Sequence, residues 1–294
     1  MTTASTSMLP LHDGRRLAYL RMGRAGGRPV LFCHGTPGSR LFRPPESIPE
    51  SLGVDLVTAD RPGYGGSGPQ PHRRLLDWPN DAVALADRLG WTRFAVAGVS
   101  GGGPHALACA VRYPDRVAAV GLVSSVAPFW PDALDGMLAT TRRGFEWAHR
   151  SPALLRFGAL LAARRPDRFV RGLGSELPDC DRRILARPEI ARMAAENARA
   201  ALTGDAMARE MVLLRRDWEF RPSDVVVPVE LWHGELDRNV PVAHGRRLAA
   251  ALPNCRATFV PDAGHYLIHD IWADVLAAVS RHLDAPGSRD PLWR

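Results

Sequence analysis

One serine in this chain stands where a hydroxyl could become a nucleophile. Ser100 lies in Gly98-Val99-Ser100-Gly101-Gly102, after the apolar run Phe94–Gly98 and before the small-residue stretch Pro104–Tyr113. A serine at a strand-to-helix turn is held in strained backbone geometry that lifts its hydroxyl clear of the sheet. Glycine on either side permits that close turn. The helix starting beneath it offers unpaired N–H groups and a positive dipole end to a developing oxyanion. The plainer alternative is a turn serine that caps a helix.

A serine hydroxyl is a poor nucleophile until a base removes its proton. Ten histidines compete for that role. His265 ends Asp262-Ala263-Gly264-His265, a loop after the last strand signal, from which it can swing over the sheet edge. His34 and His233 also end strands, but each precedes a glycine at a loop start and reads as loop-organising. His269 and His282 fall in the final helical region.

The base in turn needs a carboxylate to fix its tautomer and stabilise the imidazolium. Asp237 is the candidate, in His233-Gly234-Glu235-Leu236-Asp237; Glu235 shares the loop and is the nearest rival. After the Val117–Val123 strand stands Ser124-Ser125, with no acid before Asp132. An oxyanion would take backbone N–H groups from Gly101 and from Thr36, in the loop His34-Gly35-Thr36.

These residues need a scaffold that brings three distant segments to one edge. Arg28–Cys33, Val54–Ala59, Phe94–Gly98 and Val117–Val123 are short, continuously apolar runs, each stopped by a turn cluster. Helical spacing fills Asn80–Gly90 and Pro104–Tyr113 between them. Strands apolar on both faces and separated by helices predict a mostly parallel sheet. From Asp132 to Asp217 the signal is helical, broken at Pro152, Pro166, Pro178 and Pro188, with no convincing strand. Strands return at Val225–Trp232 and Ala257–Val260, with a helix over His244–Leu252 between them and a closing helix over Ile271–Leu283. Residues 286–294 are polar and expected to fray.

Composition narrows the chemistry. All 38 basic residues of the 294 are arginine, against 31 acids, giving a formal charge of +7. Without lysine there is no P-loop lysine, Schiff base or Ser–Lys dyad. Between Phe129 and Pro222, 17 arginines alternate with 13 acids, the pattern of solvated helix faces rather than a nucleic-acid stripe. The four cysteines have no ligand spacing and read as small buried hydrophobes. No run of about 18 uninterrupted apolar residues occurs, so no membrane-spanning helix is expected. The first eleven residues do not read as a secretory signal, so a cytoplasmic location is expected.

His34-Gly35 after a strand, Asp60-Arg61-Pro62-Gly63-Tyr64-Gly65-Gly66-Ser67, the Ser100 turn, Gly234–Asp237 and Gly264-His265 together resemble the α/β-hydrolase superfamily, closest to its capped members. The resemblance covers nearly all of Arg16–Leu283 except the helical insertion. It implies an α/β-hydrolase fold, with core residues 1–128 and 223–294 and an all-helical cap at 129–222. The chain order Ser, Asp, His is that of α/β-hydrolases. Relatives that are dehalogenases or epoxide hydrolases carry Asp at the elbow, and iminopeptidases commonly carry Trp after the serine; Ser100 and Gly101 stand here.

The expected function is hydrolysis of a carboxylic ester, thioester or lactone of small to medium apolar substrate, with no metal or organic cofactor. Carbon–carbon cleavage, amide hydrolysis or acyl transfer on the same triad is the alternative, and a non-catalytic ligand binder a further one. The insertion's apolar residues (Trp147, Leu154, Leu155, Phe157, Leu160 and Leu161 among them) are expected to serve mainly as helix packing, with some facing the core. The sequence does not specify the oligomeric state.

Overall fold

The computed structural model describes residues 5–164, 176–202 and 205–284. Eight strands form one sheet: β1 (Ser7–Pro10), β2 (Arg16–Gly23), β3 (Arg28–Cys33), β4 (Val54–Ala59), β5 (Phe94–Val99), β6 (Val117–Val123), β7 (Val229–Gly234) and β8 (Cys255–Val260). Their order across the sheet is β1-β2-β4-β3-β5-β6-β7-β8. The β1–β2 and β2–β4 pairs are antiparallel and every other pair is parallel.

Side-chain alternation explains why the central strands read as unbroken apolar runs. Val30, Phe32, Ala95 and Ala97 face one core with Leu56, Trp272, Val275 and Val279. Leu31, Cys33, Phe94 and Val96 face the other with Trp78, Leu85, Leu107 and Val120. The second core lies under α2 (Trp78–Arg88) and α3 (Gly103–Arg112); the first lies under α1 (Ser47–Ser51) and α10 (Ile268–Ser280). With both faces covered, a period of two leaves no polar face. In β5 even Gly98 has a packing reason, because a Cβ there would lie 2.5 Å from the Gly102 carbonyl oxygen.

Between β6 and β7 the described elements are helical: α4 (Ala139–Arg150), α5 (Pro152–Ala163), α6 (Asp179–Leu185), α7 (Pro188–Ala201) and α8 (Ala206–Arg215). Pro152 and Pro188 open helices and Pro178 precedes one, positions where the missing N–H costs nothing. The break expected at Pro166 and the tail at 286–294 lie outside the described residues. After β7 come α9 (Val242–Ala251), β8 and α10. No described helix is long and apolar enough to cross a membrane.

Three expectations need correction. The strand read from Val225 begins at Val229, because Val225 closes a 3-10 turn onto the Pro222 carbonyl and Pro228 has no N–H for the ladder. Cys180 and Cys255 are only half-buried, unlike Cys33 and Cys109. The insertion's apolar residues do not all pack: Leu155 and Ala159 are buried, but Trp147, Leu154, Phe157, Leu160 and Leu161 are exposed, Phe157 at 59%. Helix α5 is apolar on more than the one face it applies to α4 and α8.

Candidate functional site

Parallel strands deliver their following loops to one edge. Cys33 pairs with Gly98, Val99 with Val123, Val123 with Trp232 and Gly234 with Val260. The segments that follow β3, β5, β7 and β8 therefore emerge together, and they carry Thr36, Ser100, Asp237 and His265.

Ser100 sits at φ +55° and half-buried, between β5 and the turn Ser100–Gly102 that leads into α3. A non-glycine residue in the left-handed region is strained, and such strain concentrates at working sites. Gly101 is packed on Thr36: a Cβ there would overlap Thr36 Oγ1 and lie 3.1 Å from Leu214 Cδ1 on α8. A Cβ on Gly35 would lie 3.4 Å from the Ser100 Cβ. The structure thus brings Ser100, Gly101 and Thr36 together. Thr36 Oγ1 is buried with no hydrogen-bond partner.

On the facing side, His265 Nδ1–H donates to Asp237 Oδ2 at 2.8 Å. Asp237 is buried, and its Oδ1 accepts the N–H groups of Asn239 (2.9 Å) and Val240 (2.8 Å). Burial alone would push its pKa up, but the charges and hydrogen bonds of His265 and His233 outweigh that and lower it. Burial likewise opposes protonation of His265, yet the Asp237 and Asp181 charges and the Asp237 hydrogen bond raise its pKa. Glu235, the rival acid, points to solvent and pairs with Arg246 at 2.8 Å. Among the described residues no hydrogen bond joins the Ser100 hydroxyl to the His265 ring. Such contacts commonly tighten only when substrate is bound.

The two other strand-end histidines organise loops. His34 Nδ1–H donates to the Gly35 carbonyl at 2.8 Å and its Nε2 accepts the Arg61 N–H at 3.2 Å. His233 Nε2–H donates to the Val240 carbonyl at 2.7 Å, closing the loop that holds Asp237.

Beneath Thr36 and Gly101 lies a buried polar network that sequence reasoning missed. The Arg61 guanidinium donates to the carbonyls of His34 and Gly35 and pairs with Glu210 of α8, with Nη2 to Oε1 at 2.6 Å; both side chains are fully buried. Arg73 sits 3.5 Å from the other Glu210 oxygen and donates to His105 Nε2 at 3.2 Å. His105 Nδ1–H in turn donates to the Gly101 carbonyl at 3.0 Å. Burial and the Arg61 charge hold His34 and His105 far below their usual pKa, so both are neutral. Glu210 is then the acid opposing Arg61 and Arg73.

Three more residues tie the inserted helices to the same edge. Asn197 Oδ1 on α7 accepts from Ser39 N–H and Oγ–H, and the Ala200 carbonyl accepts from Gly65 N–H. Asp181 on α6 accepts the N–H groups of His265 and Tyr266. Arg61 stood within a motif quoted for the family resemblance, but no local signal marked Glu210, Asn197 or Asp181, which look like ordinary polar residues on helices.

The chain is similar to known proteins along most of its length. A family model for the alpha/beta hydrolase fold matches residues 28–270. A pimeloyl-(acyl-carrier protein) methyl ester esterase of Aromatoleum aromaticum is 31% identical over 233 residues, spanning 72% of this chain and 81% of that protein. Among solved structures, a hydrolase from Pseudomonas aeruginosa is similar at TM-score 0.74 and 20% identity, covering 97% of this chain and 100% of that one. The enol-lactonase from Burkholderia xenovorans is similar at TM-score 0.72 and 17% identity, covering 95% and 100%. At those identities the structural likeness speaks for the fold alone.

Proposed function

The chain belongs to the α/β-hydrolase family, and on that premise we propose that it is a serine hydrolase cleaving a carboxylic ester, thioester or lactone through an acyl-serine intermediate. The observation that carries the reading is the Asp237–His265 hydrogen bond on the same sheet edge as a serine held at positive φ. Ser100 Oγ attacks the acyl carbon while His265 Nε2 takes its proton. Asp237 fixes the ring with Nδ1 protonated and stabilises the imidazolium. The oxyanion is met by the N–H groups of Thr36 and Gly101, with the unpartnered Thr36 hydroxyl beside them. His265 then protonates the leaving group, and water, activated by the same ring, releases the acid.

Residues 129–222 are the cap in this reading. Leu214 of α8 packs on Gly101, which brings an apolar side chain of the insertion to the turn that carries the nucleophile. An apolar roof with a few directing polar groups suits a substrate of small to medium size. The resemblance to a methyl ester esterase supports ester over carbon–carbon cleavage. The chemistry draws on no metal or organic cofactor.

Ser100→Ala tests the reading. It should abolish p-nitrophenyl acetate turnover and labelling by a fluorophosphonate probe without altering the fold. Near-wild-type turnover in the variant would remove Ser100 from its role. Failure of the folded wild-type protein to label would favour a ligand binder.

A further inference from the structure

The base is held by a carboxylate that does not come from its own domain. After β8 the chain runs through Gly264 into the turn His265–Leu267 and directly into α10. The first N–H groups of that helical run have no partner within it. Gly264, in the capping position, has no side chain to accept them. The acceptor arrives instead from α6, 84 residues earlier: Asp181 Oδ2 takes the His265 N–H at 3.0 Å and Oδ1 takes the Tyr266 N–H at 2.9 Å.

Several features mark this as a built site. Asp181 is fully buried, and among the described residues no arginine lies within ion-pair distance of it. A buried carboxylate without a cation is costly unless hydrogen bonds and dipoles receive it. Here two backbone N–H groups at a helix start do so. Gly264 makes the space, since a Cβ there would lie about on top of the carboxylate, 2.5 Å from Asp181 Cγ. The glycine before His265 is therefore explained by the acid across from it.

The groups facing His265 are Asp237 from the loop after β7 and Asp181 from α6, with the Tyr266 phenol edge-on to the ring and His233 behind Asp237. Burial raises the pKa of Asp181, helped by Asp237, while the two N–H bonds and His265 hold it down. One carboxylate thus grips the backbone of the base and adds negative charge beside its ring.

We propose that Asp181 is a positioning residue for His265, delivered by the inserted helices, so that the base is correctly aimed and fully basic only while α6 is seated against the His265 loop. This rests on the Ser100–Asp237–His265 reading. It goes beyond it by making the helical segment part of the machinery that sets the base, and not solely a roof over substrate.

The test is Asp181→Asn, which keeps the shape, removes the charge and leaves one N–H facing an amide donor. The His265 imidazole pKa is measured by NMR in the full chain alongside the pH profile of kcat/KM. The expected result is a lower imidazole pKa, an acid limb moved to lower pH by the same amount, and a roughly tenfold lower plateau from the lost hydrogen bond. Gly264→Ala, which displaces the carboxylate from the other side, should move the imidazole pKa in the same direction. Combining the two should add little. A folded Asp181→Asn protein with an unchanged imidazole pKa overturns the proposal. So does loss of fold in both variants, which would give Asp181 a purely structural role. The NMR titration needs no turnover, so a wild-type protein inert towards esters would defeat the functional reading and still leave this one open to trial.

Discussion

Glu210→Gln separates what the buried network does for stability from what it does for chemistry. The wild-type carboxylate lies 2.6 Å from Arg61 Nη2 and 3.5 Å from Arg73 Nη2, with Arg61 and Glu210 completely enclosed. His34 and His105, the other polar rings nearby, are neutral. Glutamine keeps the volume but leaves two guanidinium charges without their anion. Arg61 retains the His34 and Gly35 carbonyls, which accept hydrogen bonds but cancel no charge. Removing one partner of a buried pair costs about 3–5 kcal/mol. At about 2–4 °C per kcal/mol for large domains, Tm should fall by roughly 6–20 °C. Calorimetry measures that, and kcat/KM for an activated ester should fall with it because the Thr36–Gly101 region loosens. The control is the double variant Arg61→Met, Glu210→Met. It should recover only the part of the Tm loss that comes from Arg61, since an apolar pair can replace a buried ionic one while Arg73 still lacks its anion. It should not recover activity, because the two carbonyls have lost their donor. A Glu210→Gln protein that melts with the wild type and turns over at the wild-type rate would refute the reasoning.

Two further outcomes follow from the site. With His265 as the proposed base, its neutral form is the active one, and its pKa is raised above 6.5, so kcat/KM should rise with pH through a midpoint above 6.5. A profile flat down to about pH 4 would contradict a histidine base. Gly101→Ala places a methyl against Thr36 and Leu214 Cδ1, 3.1 Å away, and must shift the loop. If one oxyanion donor is lost, kcat should drop about 10²-fold, on the order of 3 kcal/mol, and unchanged steady-state kinetics would argue against the Gly101 assignment.

What could be read in the sequence was what is locally encoded. The Ser100 turn is announced by glycines on both sides of it and by the strand and helix that flank it. His265 and Asp237 are announced by loops that follow strands. Parallel pairing then does the long-range work, because each apolar run adds to the same sheet in the same direction. The residues that escaped notice act across 84, 149 and 158 positions: Asp181 on the His265 backbone, Glu210 on Arg61 and Asn197 on Ser39. On an amphipathic helix a carboxylate bound for the interior is spelled like one bound for solvent, and only tertiary packing separates them. The exposed α5 face shows the converse. Leu154, Phe157, Leu160 and Leu161 look like core residues, yet no described element covers them.

Because α6, α7 and α8 each plant a side chain or a carbonyl in a different loop of the sheet edge, the stretch between β6 and β7 cannot be treated as an interchangeable part. A chimaera that took this stretch from a relative to alter substrate preference would also remove the counter-anion of Arg61, the brace on Ser39 and the clasp on the His265 loop. Grafts that carry those three contacts across with the helices should retain turnover. Grafts chosen for pocket lining alone should lose it, however well they fit.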